Sequence, residues 1–220
     1  MKRLFVLIVI FGLFLTGCSV TNLNGKNIDD IVNTILVKKS KLKNTNFDGY
    51  SYYSPRGLYF INKNDYNSIL RDNSNNYYYM YTDVVSYYHK IEKTYKENAD
   101  AYYSKTIKNK DKFGYIEINK EDTYYFIELM YNYTKIEAYV KEKNLDDALT
   151  NICTILSSVK YNDKVLATTV GENELSYKEE TFNIFKTKKK ATDFLDYVKE
   201  YDNVSKDKKD EDNLKIEENE

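Results

Sequence analysis

The chain has one histidine, one proline, two cysteines and no tryptophan in 220 residues, and each shortage removes a class of chemistry. With His89 as the single imidazole, a Ser-His-Asp or Cys-His mechanism has one residue to build on. Nothing around it resembles a strained nucleophile turn. There is no H-E-x-x-H sequence and no closely spaced cysteine pair, so a zinc site is not expected. The seven glycines are scattered, and neither a P-loop nor a dinucleotide fingerprint can be assembled from them; nucleotide binding is therefore excluded. A D-x-D-x-D-G calcium loop is missing too. No cofactor is implied.

What is present begins with the N-terminus. Lys2 and Arg3 precede a 12-residue apolar run from Leu4 to Leu15. This is short of the roughly 20 residues that cross a bilayer core, and its length and flanks read as a signal peptide. It ends in Leu15-Thr16-Gly17-Cys18, which resembles the lipobox of bacterial lipoproteins. The resemblance covers positions 1–18. It implies that the Cys18 thiol receives a diacylglycerol, that residues 1–17 are removed, and that the mature chain is held at the outer face of the cell membrane. Two acyl chains give stable attachment where one gives only marginal binding. Position 19 is Ser, not the Asp associated with inner-membrane retention in two-membrane bacteria. Only Cys153 then remains as a free thiol, so no intrachain disulfide is available.

Without residues 1–17, which carry Lys2, Arg3 and no acid, the 33 basic residues become 31 against 34 acidic, a net charge of −3. Such a near-neutral balance points to neither nucleic acid nor an anionic membrane surface as partner. The chain is rich in Tyr, Asn, Lys and Ile, whose codons are AT-rich, which suggests a low-GC Firmicute source. The 24 tyrosines are explained by that bias before any aromatic binding surface is invoked, and Tyr is also a good strand former.

Residues 18–27 read as a polar tether. Asn27 is a candidate N-cap, and Ile28, Ile31, Val32, Ile35 and Leu36 form one apolar face, predicting a helix over 28–39. From Gly49 the pattern becomes β. Short strands are expected at 50–53, 58–61 and 66–70, separated by a Ser54-Pro55-Arg56-Gly57 turn and a 62–65 turn. A long strand is expected over 77–88, although Val84, Tyr87, Tyr88, Ile91 and Tyr95 also fit helical spacing. A strand at 101–107 follows, then a hairpin of 113–118 and 123–132 around Asn119-Lys120-Glu121-Asp122.

Tyr125, Ile127, Leu129 and Tyr131 share one face of that second arm, and Tyr124, Phe126 and Met130 the other. Beyond Thr134 the apolar phase slips by one residue to Ile136, Ala138 and Val140, which implies a turn or bulge. Asn144 is a candidate cap for a strong helix from Leu145 to Val159, with Cys153 as a small buried hydrophobe on its inner face. Further expectations are strands at 165–170 and 179–185, a helix at 188–201 and a disordered acidic tail over 205–220.

The expected fold is one α+β domain over 28–204. Its mainly antiparallel sheet is covered by helices on both sides, because a strand apolar on both faces needs two layers of cover. The order is loosely similar to Mog1/PsbP-like domains, with cystatin-like and NTF2-like folds as alternatives. The resulting functional expectation is a non-enzymatic binding or assembly module, with an envelope protein as partner. A Tyr-rich groove for a small ligand or peptide is the second reading. A carboxylate hydrolase using Glu117 and Glu128, which could face each other across the hairpin, is the third. Arg56 is the candidate ligand contact, because only Arg56 and Arg71 bring bidentate anion recognition to the mature chain.

Overall fold

The computed structural model describes residues 27–36, 38, 40, 42–91 and 94–172. Within them the chain is α+β, with two antiparallel sheets. It opens with helix α1 (Ile28–Leu36), whose Ile31, Val32 and Leu36 are buried. Asn27 caps it as expected, its Oδ1 accepting from the Asp29 amide at 2.6 Å. A small sheet of β1 (Thr45–Asn46), β2 (Tyr50–Tyr52) and the later β10 (Lys160–Tyr161) runs in the order β1-β2-β10. The turn that follows is type II: Leu58 N–H reaches Pro55 O, with Gly57 at φ +87°. Only glycine takes that position without strain.

The main sheet has seven strands: β3 (Leu58–Lys63), β4 (Asn67–Asp72), β5 (Tyr77–Thr82), β6 (Tyr103–Asn109), β7 (Lys112–Glu121), β8 (Tyr124–Tyr131) and β9 (Thr134–Lys141). Their order is β3-β4-β5-β9-β8-β7-β6. Asn132 and Tyr133, at φ 50° and 63°, make the two-residue turn between β8 and β9. Positive φ at both central residues is the type I′ geometry that suits a twisted hairpin. This turn accounts for the phase slip in the sequence. Leu129 pairs with Ile136, Ile127 with Ala138 and Tyr125 with Val140, so odd positions before the turn share a face with even positions after it. The preceding hairpin turns at Asp122-Thr123, two residues later than expected.

Helix α3 (Leu145–Ser158) lies on that face with α1 beside it. Its Leu149, Ile152, Cys153 and Leu156 share a core with Ile127, Leu129, Ile136 and Ala138. Each fully buried Leu or Ile contributes about 1.5–3 kcal/mol. Asn144 does not cap α3 through its side chain; its amide donates to Asn76 Oδ1 at 3.3 Å instead.

Two other expectations are corrected. The long strand over 77–88 stops at Thr82, and helix α2 (Val84–Tyr88) follows. Asp83 is the reason: its Oδ1 accepts from Ser86 N–H at 2.8 Å, a capping bond that starts a helical turn. The turn ends where Lys90 adopts φ 53°. Residues 165–170 are not a strand either. Asn162 Oδ1 accepts from Val165 N–H and starts α4 (Asp163–Leu166), which runs into a π-helical turn over Ala167–Glu172. The expected signal peptide, the 179–185 strand, the 188–201 helix and the acidic tail lie outside the described residues.

Candidate functional site

The pleat that points Ile127 and Leu129 at α3 points Glu128 the opposite way, and there a row of acids crosses the sheet. Glu117 on β7 pairs directly with Glu128 on β8, and Glu128 with Glu137 on β9. All three are buried, at 3 %, 0 % and 2 % exposure. Like charges directly opposite each other destabilise a sheet. Lys135, one row away on β9, offsets this: its Nζ lies 2.7 Å from Glu128 Oε1 and 2.8 Å from Glu137 Oε1. Burial by itself would push the Lys135 ammonium down. The Glu128 and Glu137 carboxylates outweigh it and hold the ammonium above its ordinary range.

Glu117 is held differently. It accepts from Tyr95 Oη, from Asn98 Nδ2 at 3.2 Å and from Asn119 Nδ2 at 3.1 Å. The Tyr95 proton goes to Glu117, so the Ser104 hydroxyl, 2.8 Å away, donates to Tyr95 and in turn accepts from Asn98 N–H. Tyr95 also stacks on Tyr115, with ring centroids 4.3 Å apart. Burial and donation to Glu117 both raise the Tyr95 phenol. These bonds fix the irregular stretch 94–98 along β6, whose outward Thr106 N–H is taken by Glu97 Oε1 at 2.8 Å.

Beside this stretch a cleft of about 1220 Å³ opens at the end of the sheet. Its walls come from the chain after α2 (Lys90, Ile91, Thr94, Tyr95), from the β6–β7 hairpin and from the Asn132-Tyr133 turn. The segment Val159–Tyr161 and Asp163 close it on the helix side. That volume is above the about 300–1,000 Å³ of ordinary small-ligand sites. Among the described residues four lysines line it, Lys90, Lys108, Lys112 and Lys160, against two acids, Asp111 and Asp163. Tyr87 stacks on Tyr161 at 3.6 Å, holds the Lys90 ammonium 3.6 Å from its ring centre and donates to Asp163 Oδ1 at 3.0 Å. Burial first, and that donation second, push the Tyr87 phenol up to about 12.

The Asn132-Tyr133 turn is pinned from three sides. Asn132 N–H donates to Phe113 O at 2.9 Å, Asp83 N–H to Tyr133 O at 2.9 Å, and Tyr161 Oη to Asn132 O at 2.8 Å. Those contacts keep Tyr133 in a left-handed conformation that a bulky residue seldom adopts.

The residues singled out from sequence fall in different places. Cys18 lies outside the described residues. Arg56 is exposed on the β2–β3 turn, is not in the cleft and makes no ion pair among the described residues. His89 is an exposed C-cap of α2. Cys153 is fully buried, and burial raises its thiol. Glu117 and Glu128 do face each other, but they are sealed in the sheet and not set in the cleft. The sequence reading missed Lys135, Glu137 and the cleft lysines. Placing the two-residue turn at Asn132-Tyr133 would have put Glu137 opposite Glu128.

Among the described residues no three His, Cys, Asp or Glu side chains are grouped to hold a metal ion. No helix among them is long and apolar enough to cross a membrane. No protein-family model matches the chain, and comparison with curated proteins gives no match.

Proposed function

We propose that the protein is a membrane-anchored, extracytoplasmic lipoprotein, attached through diacylglycerol on Cys18, whose domain is a non-enzymatic binding module of the cell envelope. The anchoring rests on the Lys2-Arg3 start, the 12-residue apolar run and Leu15-Thr16-Gly17-Cys18. The binding role rests on one observation, the 1220 Å³ cleft lined by tyrosines and lysines with no His, Cys or Glu among its described residues. The burial of Glu117 and Glu128 weighs against the carboxylate-hydrolase reading, because an acid–base pair must reach its substrate. The tyrosines in the cleft support the Tyr-rich groove as the binding mode, and Arg56, the candidate ligand contact, lies outside it. An envelope protein remains the partner that the module would serve, and neither nucleic acid nor a nucleotide is expected there.

We infer as well that the sheet face opposite α3 is covered, completing a helix–sheet–helix sandwich of the loosely Mog1/PsbP-like kind. The burial of Phe126 at 0 % and Met130 at 1 % on that face supports it.

The anchor and the module are tested together in a Gram-positive host. Cys18→Ser should move the protein from the membrane fraction to the medium or leave it unprocessed. Proximity labelling on intact cells should return reproducible envelope neighbours. A Cys18→Ser protein that stays membrane-bound at its mature mass would overturn the anchor. Labelling without reproducible neighbours would count against the module.

A further inference from the structure

We propose that residues 173–204 of this chain close the sheet face opposite α3, a helix over 188–201 laying Phe194, Leu195, Val198 and Tyr201 across β5, β9 and β8. This rests on the sandwich reading above and names the element that completes it. It takes the β5 tyrosines out of reach of a ligand and leaves the cleft to the binding module.

The face is a second buried layer. Among the described residues seven buried apolar side chains stand outside the core that α1 and α3 share with the sheets. Tyr95 covers one of them, Tyr115, by stacking on it. The other six are Ile69 on β4, Tyr77, Tyr79 and Tyr81 on β5, and Phe126 and Met130 on β8, each 7 % exposed or less. The ladder sets them on the side away from α3, since Ile69 pairs with Tyr79, Tyr79 with Glu137, Glu137 with Glu128 and Glu128 with Glu117. A sheet face open to water carries polar, exposed side chains in place of sealed tyrosines. The structure is a single chain, so the cover over this face belongs to the chain itself.

The length of chain outside the described residues selects the stretch. Under the proposed maturation, residues 18–26 are a polar tether on the N-terminal side, and residues 205–220 are mostly charged. Between α4 and that tail, 173–204 holds Phe182, Ile184 and Phe185, then the Phe194, Leu195, Val198 and Tyr201 stripe. Asp196 and Glu200 fall on the opposite side at helical spacing. A helix over 188–201 is about 21 Å long. The five strands from β4 to β7 span about 19 Å. The described chain also ends close to the right strand. Gly171 lies against Tyr88 Oη, 2.6 Å from where a Cβ would be, and α2 follows directly on β5. From there residues 173–187 bridge up to roughly 50 Å, enough to turn around the end of the sheet.

Charge favours this occupant over others. The middle of the face carries Glu117, Glu128 and Glu137 against Lys135. A second copy packed face to face would bring two such net-negative rows together, which buried like charges disfavour. Hydrocarbon from a lipid surface offers buried carboxylates no donors. The segment carries Lys186, Lys188, Lys189 and Lys190 and the hydroxyls of Tyr197 and Tyr201, so it brings cations and donors together with its apolar stripe.

The test uses the detergent-solubilised full chain with p-benzoylphenylalanine in place of Phe194. Irradiation followed by peptide mass spectrometry should find crosslinks within one chain to peptides of β5 or β8. Hydroxyl-radical footprinting should leave Tyr79 and Tyr81, 5 % and 7 % exposed, at least about fivefold less modified than Tyr59 and Tyr102, at 55 % and 53 %. Leu195→Ser with Val198→Ser should lower the melting temperature by at least about 5 °C. Asp196→Ser with Glu200→Ser, on the other side of the helix, should shift it by less than about 2 °C.

Protected tyrosines with crosslinks to other peptides of the chain would overturn the segment's placement and leave the sandwich standing. Crosslinks between two chains would overturn it in favour of a second copy. Tyr79 and Tyr81 modified as fast as Tyr59 would overturn the covered face itself, and the sandwich with it. Equal effects of the two double substitutions would overturn the helix side named above.

Discussion

Replacing Lys135 by methionine isolates the electrostatics of the central sheet. Methionine nearly matches the lysine stem in length and volume, so the substitution removes the charge and little packing. The ammonium lost is 2.7 Å from Glu128 and 2.8 Å from Glu137, in a site where all three side chains are 2 % exposed or less. Removing one partner of a buried ion pair typically costs about 3–5 kcal/mol, because the charge left behind keeps its desolvation penalty. For a chain of this size that is a fall in melting temperature of roughly 6–20 °C. Urea denaturation at pH 7, followed by far-ultraviolet circular dichroism, measures it directly. Adding Glu128→Gln and Glu137→Gln to the Lys135→Met chain removes the stranded charges and should recover at least half of the loss. A Lys135→Met chain that loses less than about 1 kcal/mol, or a triple variant no better than the single one, would refute the reading of this row as a compensated charge cluster.

Other substitutions probe other parts of the argument. Gly114→Ala should destabilise by about 2–4 kcal/mol in the same denaturation assay, since a Cβ there would sit 2.3 Å from Met130 O and 2.9 Å from the Tyr131 ring. Asp83→Ala should cost about 1 kcal/mol by removing the bond to Ser86 N–H that starts α2. Burial raises many phenols, with Tyr139 and Tyr87 pushed up to about 12 and Tyr78, Tyr115 and Tyr161 higher. A raised folded value means stability that is whole below about pH 10 and lost as pH climbs beyond it. A spectrophotometric titration should therefore show a late group of tyrosines ionising together with unfolding. Thiol titration of the mature protein should find no reactive cysteine when native and one, Cys153, in denaturant; two would mean that Cys18 is unmodified.

The sequence was most legible where periodicity was long. The helix from Leu145 and the alternation along Tyr125–Tyr131 both follow from single-residue spacing, and the slip at Thr134 marked a turn that the structure places at Asn132-Tyr133. It was least legible where one side chain decides the local state. Asp83 turns an aromatic run that favours strand into a helix by accepting one amide bond, and Asn162 does the same before Val165. Propensity summed over a window is blind to such single bonds. The cleft was invisible for a different reason. Lys90, Lys108, Lys112 and Lys160 are ordinary solvated lysines in sequence and converge only through the strand order. Arg56 stood out by composition alone, and rarity carries no information about position.

The strand order also sets how the chain must assemble. β3 to β5 form one run of neighbours joined by short turns, and β6 to β9 form another. Among the described strands only the β5–β9 seam unites them, through pairs such as Thr82 with Thr134, 52 residues apart in sequence. Closing a loop of that length costs about 3.5 kcal/mol by its length-dependent term, against well under half of that for a two-residue hairpin. The two ribbons can therefore form early and separately, and the seam is the late, slow step. Until it closes, the edges of β5 and β9 are open to pairing with other chains. Under the proposed export and lipid anchoring the protein would be exposed in that interval, so seam substitutions such as Ala138→Gly should show first as aggregation during secretion and only second as reduced equilibrium stability.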